Sequence, residues 1–175
     1  LAIAARQKAK FEGWLKFELA RELEKKEGIA AIEVEKFNNG NEAKNLFTDI
    51  AFRFENIQYY LELKTPTVSW RMDGTQSNPR TTTPNFDSIT RDAQKLASSL
   101  HYEQRNSRGI VAFVLFPLRP RENRWETYFR RIEKALDINS PLNEHCDFVK
   151  GIPLSNGNTC EFLVCCFEYP ASSVF

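Results

Sequence analysis

An aspartate facing a glutamate across paired strands, with a lysine two residues beyond, is a set of groups that can hold a divalent cation and stabilise negative charge. Asp49, Glu62 and Lys64 form such a set. The runs LFTDIAFRFE and IQYYLELKT alternate apolar and polar residues and are parted by a short turn at Glu55-Asn56, the pattern of a β-hairpin. With the turn centred between Glu55 and Asn56, Phe54 faces Ile57 and Asp49 falls opposite Glu62. Alternation then places Asp49, Ala51 and Arg53 on one face with Gln58, Tyr60, Glu62 and Lys64. Ile50, Phe52, Phe54, Ile57, Tyr59, Leu61 and Leu63 gather on the other. A one-residue slip would break this sorting, so the register is well specified. Two facing carboxylates repel unless something positive lies between them, and oxygen ligands suit Mg²⁺ and Mn²⁺. The plainer reading is a solvated face whose acids are balanced by Lys64 and Arg53. Glu-x-Lys also occurs at Glu24-Lys25-Lys26 and Glu42-Ala43-Lys44, but the copy at Glu62-Leu63-Lys64 lies in an apolar strand with an aspartate on its partner.

The elements that must position these groups are readable from periodicity. Phe11, Trp14, Leu15, Leu19 and Leu23 predict a helix over Phe11–Lys26, ended by Glu27-Gly28, and Ile29–Phe37 predicts a strand. Asp73 to Asn85 is polar and rich in Gly, Pro and Thr, which predicts a surface loop. Asp87 or Ser88 is placed to cap a helix running to about Gln104, with Ile89, Ala93, Leu96, Ala97 and Leu100 on one face. GIVAFVLFPL, opening at Gly109, predicts a strand buried on both faces. A basic turn (Arg119, Arg121, Arg124) leads to the helix WETYFRRIEKAL, with Trp125, Phe129, Ile132 and Leu136 inward. The tail reads as a loop and a last strand, CEFLVCCFEY. At 175 residues, this order predicts a single α/β domain over 1–175, a central mixed sheet flanked by helices.

A net charge of +1 excludes a uniformly basic nucleic-acid binder, so phosphate contacts would need a local patch. Arg71, Arg119 and Arg121 are the candidates. No apolar run approaches the roughly 20 residues that span a bilayer. The opening LAIAARQKAK is too short and too charged in its flank for a secretory signal, and it lacks an initiating Met, as a fragment or trimmed start would. These features predict a cytoplasmic protein with no membrane partner. Cys146, Cys160, Cys165 and Cys166 lack the paired CxxC spacing of zinc sites, and two lie inside FLVCCF, which reads as buried strand thiols in a reducing compartment.

Asp49, a gap of twelve residues, then Glu62-Leu63-Lys64 resembles the core motif of the PD-(D/E)XK, or restriction-endonuclease-like, nuclease superfamily. The order of elements is similar over roughly Phe11 to Pro117, about three-fifths of the chain. Two departures are Thr48, where Pro often precedes the motif Asp, and Gln94 followed four residues on by Ser98 rather than Tyr. The resemblance implies the restriction-endonuclease-like three-layer fold and metal-assisted phosphodiester hydrolysis, on DNA in preference to RNA. It implies that Asp49, Glu62 and the backbone carbonyl of Leu63 hold Mg²⁺ or Mn²⁺, and that Lys64 positions the attacking water. Family members often add an acid from the first helix, here Glu22 or Glu18, and Glu33 or Glu35 of the first strand is a further candidate. The helix after the motif often lends a polar group, here Gln94 or Lys95.

Two other functions compete. One is a non-enzymatic module on the same fold that binds nucleic acid or protein. The other is an α/β protein without a site that forms a homodimer through an exposed apolar edge at Phe162–Phe167.

Overall fold

In the computed structural model, which describes residues 1–38, 46–76, 82–100 and 106–169, helices α1 (Ala2–Gln7) and α2 (Glu12–Glu24) precede strands β1 (Ile29–Asn38), β2 (Leu46–Phe54) and β3 (Ile57–Lys64). Helix α3 (Thr82–Leu100), strand β4 (Ser107–Leu118), helix α4 (Trp125–Leu136), a 3₁₀ turn (Leu142–His145) and strands β5 (Cys146–Pro153) and β6 (Thr159–Glu168) follow. The strands form one mixed six-stranded sheet in the order β1-β2-β3-β4-β6-β5, flanked by helices, which makes the fold α/β. The chain divides into two compact units of discontinuous segments, a hairpin unit (Glu12–Leu63, Arg91–Ala112, Phe167–Phe175) and a second unit (Leu1–Phe11, Lys64–Thr90, Phe113–Cys166). Among the described residues no helix is long and apolar enough to cross a membrane.

In the hairpin unit, Glu55 and Asn56 have φ of 49° and 65°, both left-handed, as a two-residue type I′ turn requires. That turn sets the predicted register: Phe54 pairs Ile57, and the ladder runs back to Ile50 opposite Leu61. The predicted apolar face is also found, with Ile50, Phe52, Leu61 and Leu63 buried in one cluster against Leu15, Leu19 and Leu23 of α2. The opposite face is less polar than expected, because Ala51 and Tyr60 are buried as well.

Helix α2 occupies nearly the predicted span, but Trp14 points outward at 55 % exposure, and the buried stripe holds Lys16 and Ala20 instead. Gly109 opens the buried strand for a steric reason. A Cβ there would run into the Tyr169 carbonyl oxygen and come within 2.8 Å of Leu100 Cδ1. The Tyr169 N–H donates to the Gly109 carbonyl at 2.9 Å.

In the second unit, α4 buries Trp125, Phe129, Ile132 and Leu136 as predicted, and Phe113 meets Phe129 and Phe86 edge to face. Helix α3 begins at Thr82, a turn before the expected cap at Asp87 or Ser88. The Thr82 hydroxyl accepts the Ser69 N–H at 2.9 Å, and Asn85 Nδ2 donates to the Thr67 carbonyl at 2.7 Å. These bonds pin the first turn, where Pro84 is tolerated. The expected end of this helix near Gln104 lies outside the described residues.

The stretch after α4, expected to be a loop, contains β5. It pairs antiparallel with β6, with a register shift between Val149 and Ile152 where Gly151 has φ +71°. Polar residues and this bulge hide the strand pattern, because β5 is an edge strand. Strand β6 therefore lies between β4 and β5, and the proposed dimerising edge is not an edge. Phe162 and Leu163 are buried within the sheet.

Candidate functional site

The site is built on three strands of the hairpin unit, joined by two ladders of backbone pairing. Strand β1 carries one extra residue between Ala30 and Glu33, relieved by Ala31 at φ 52°. Beyond this bulge Val34 pairs Ile50 and Lys36 pairs Thr48, so Glu35 falls opposite Asp49. On the other side of β2 the ladder to β3 ends at Ile50 opposite Leu61, one residue short of Asp49 and Glu62. Glu35 and Asp49 thus face each other on adjacent strands, and Glu62 follows the last paired residue of β3.

The charge that offsets Asp49 and Glu35 comes from α2. Lys16 Nζ lies 2.7 Å from Asp49 Oδ1 and 3.1 Å from Glu35 Oε1. The other Asp49 oxygen, Oδ2, accepts the Leu63 N–H at 2.8 Å. Asp49 is therefore held at both oxygens, one by the helix and one by the Glu62-Leu63-Lys64 segment. Its side chain is 14 % exposed and that of Lys16 10 %, whereas Glu35 is 65 % exposed. Burial by itself would lower the Lys16 pKa, but hydrogen bonds to Asp49 and then Glu35 raise it above the ordinary lysine value. Lys16 is a charged ammonium at neutral pH.

Periodicity alone does not single out Lys16, but its place does. It lies beside Leu15 and one turn before Ala20, inside the apolar stripe, where an unpaired lysine is costly. Glu35 was a minor candidate, and its opposition to Asp49 depends on a bulge that sequence patterning does not locate.

The remaining predicted residues are distributed more widely. Glu62 and Lys64 are half-buried on β3. Glu18 pairs with Arg21 at 3.4 Å and Glu22 with Lys25 at 2.5 Å, both as one-turn pairs at the solvent side of α2. Gln94 and Lys95 are exposed on α3, and Lys95 pairs with Asp92 at 3.0 Å. In the second unit, Arg119 Nη2 donates to the Arg71 carbonyl at 2.7 Å, which brings two of the three candidate arginines together. Arg121 is exposed in the adjacent turn at φ 64°. Arg124, next in that turn, lies 4.3 Å above the Trp70 ring and bonds Glu122.

Comparison of the chain with family models, curated proteins and solved structures yields no match.

Do these residues suit a divalent metal? The donors are carboxylate and peptide oxygens, the chemistry that Mg²⁺ and Mn²⁺ take. The Lys16 ammonium is a stand-in for such an ion, since it shows that a cation is held between Asp49 and Glu35. Each carboxylate oxygen keeps lone-pair capacity after one hydrogen bond. Among the described residues no group of three or more His, Cys, Asp or Glu side chains already converges on one point. The residues present fit the ion in donor type and charge, with Lys16 in the position it would contest.

Proposed function

We propose that this chain is a divalent-metal-dependent nuclease that hydrolyses phosphodiester bonds, DNA in preference to RNA, with Mg²⁺ or Mn²⁺. The observation that carries the reading is the 2.8 Å hydrogen bond from Leu63 N–H to Asp49 Oδ2, which ties the aspartate directly to the Glu62-Leu63-Lys64 segment. The resemblance of that segment to the PD-(D/E)XK core motif supports it further. Asp49, Glu62 and the Leu63 carbonyl would hold the metal. A bound divalent ion supplies a water of lowered pKa and polarises a phosphoryl oxygen.

The chain's own residues do the positioning. Asp49 is oriented by the Leu63 amide before any ligand arrives. Lys64 provides a compact cation two residues along from Glu62, suited to orienting the attacking water and to charge developing on phosphate. Arg71 and Arg119 supply, within the second unit, positive charge of the kind that binds phosphate. A reducing, cytoplasmic setting fits the four free cysteines.

A second reading is favoured by one observation. The Lys16 ion pair already offsets the Asp49 charge, as a binding module without catalysis would require. Incubating purified protein with Mg²⁺ or Mn²⁺ and a panel of duplex DNA, single-stranded DNA and RNA separates the two. The enzyme reading predicts cation-dependent cleavage of DNA. Binding without cleavage across the whole panel supports the module.

A further inference from the structure

We infer that Lys16 is a displaceable internal cation, and that a divalent ion enters the Asp49 site by pushing the lysine ammonium off Asp49. This rests on the metal reading above and adds the residue that sets the metal threshold. Lys16 Nζ is 2.7 Å from Asp49 Oδ1, where an incoming ion must bind. Two cations on one carboxylate repel, so the ion and the ammonium compete for it.

The geometry supplies an exit. Lys16 is bound to two carboxylates of opposite character, Asp49 at 14 % exposure and Glu35 at 65 %. A lysine has three rotatable donors on a flexible stem. It can leave Asp49 and follow Glu35 outward without losing its ionic partner. Glu35 opposes Asp49 only because of the β1 bulge, and has φ 56° itself, so an irregular strand delivers this second acceptor. Without metal, the lysine keeps Asp49 ordered and its charge offset. With metal, the cost of parting Lys16 from Asp49 is subtracted from the ion's affinity, so the metal requirement is tuned by a helix residue that binds neither metal nor substrate.

The test compares Mn²⁺ binding, by electron paramagnetic resonance and calorimetry, in the wild-type chain and in Lys16→Met, Asp49→Asn and the double variant. Thermal unfolding of each is followed in EDTA and in Mn²⁺. The inference predicts that K16M melts lower than wild type in EDTA, binds Mn²⁺ about tenfold or more tightly, and is stabilised more by the ion. D49N and the double variant lose the site. Should K16M fold poorly, Lys16→Gln keeps the length and a donor without the charge and must shift affinity in the same direction. If wild type binds Mn²⁺ through Asp49 and both K16M and K16Q bind it no more tightly, Lys16 does not compete and the inference falls while the metal reading stands. If no form binds Mn²⁺, the metal reading fails and takes the inference with it.

Discussion

Lys16 Nζ lies 2.7 Å from Asp49 Oδ1, so one ion pair joins helix α2 to the central strand of the hairpin unit. Both side chains are largely withdrawn from water, at 10 % and 14 % exposure. A pair of this kind makes the residue of greatest chemical interest also a structural one. Removing either partner leaves a charge in a half-desolvated place, whereas removing both does not.

A double-mutant cycle follows from that asymmetry. Lys16→Met and Asp49→Asn should each destabilise the fold by about 2 kcal/mol, below the fully buried range because Glu35 faces solvent. The double variant should lose clearly less than the sum, measured by urea unfolding at pH 7. Additive losses would mean that the contact does not hold the helix. The pH dependence has a definite sign. Because the folded Lys16 pKa is raised above its ordinary 10.5, its contribution is fully present below 10.5 and is lost as pH rises through the higher folded value. The K16M deficit should be constant from pH 7 to 9 and shrink only above that window.

The hairpin was legible because two local signals agree on it: alternation, and a turn at Glu55-Asn56 that sets Phe54 opposite Ile57. Helix α4 and the buried core of β4 were legible for the same reason, since Trp125, Phe129 and Ile132 repeat at helical spacing and GIVAFVLFPL admits few other readings. What escaped is set by tertiary context. The start of α3 depends on bonds from Ser69 and Thr67, thirteen and eighteen residues before their partners. Strand β5 is polar, bulged and at an edge, so its pattern is weak. The cation beside Asp49 comes from a lysine 33 positions earlier, a contact that neither spacing nor motif encodes.

Gly109→Ala should destabilise the protein by about 2 kcal/mol, in the range of overpacking. The new methyl meets the Tyr169 carbonyl, which is backbone, before it meets Leu100 and Leu96. Equilibrium unfolding reads this directly, and a neutral Gly109→Ala would contradict the close approach of β4 to Tyr169.

Glu122 offers an acid-side test. The hydrogen bond from Arg124, 2.6 Å from Nη2 to Oε2, holds its carboxyl below the ordinary 4.5. Its stabilisation is therefore present above pH 4.5 and is lost as pH falls through the lower folded value. Glu122→Gln should cost about 1 kcal/mol at pH 7, since Arg124 is half exposed. The difference from wild type should vanish at the acid end, and a gap that persists there would show that the charge is not responsible.

The cysteines should divide by reactivity. Burial raises both the Cys166 and Cys160 thiols, Cys160 up to about 11, but Cys166 is exposed as a residue whereas Cys160 is fully buried. At pH 8 a small alkylating reagent should modify Cys166 first and reach Cys160 only on unfolding, as mass spectrometry of digested peptides would show. Early labelling of Cys160 in the native protein would contradict its place inside β6.

The most direct measurement for the site is single-turnover cleavage of duplex DNA in Mn²⁺ by the wild-type chain and by Asp49→Asn, Glu62→Gln and Lys64→Met, each first shown to be folded. The account predicts cleavage by wild type and a loss of at least about a hundredfold in each variant, the scale expected when a metal ligand or a charge-stabilising group is removed. Cleavage by Asp49→Asn at the wild-type rate would contradict it.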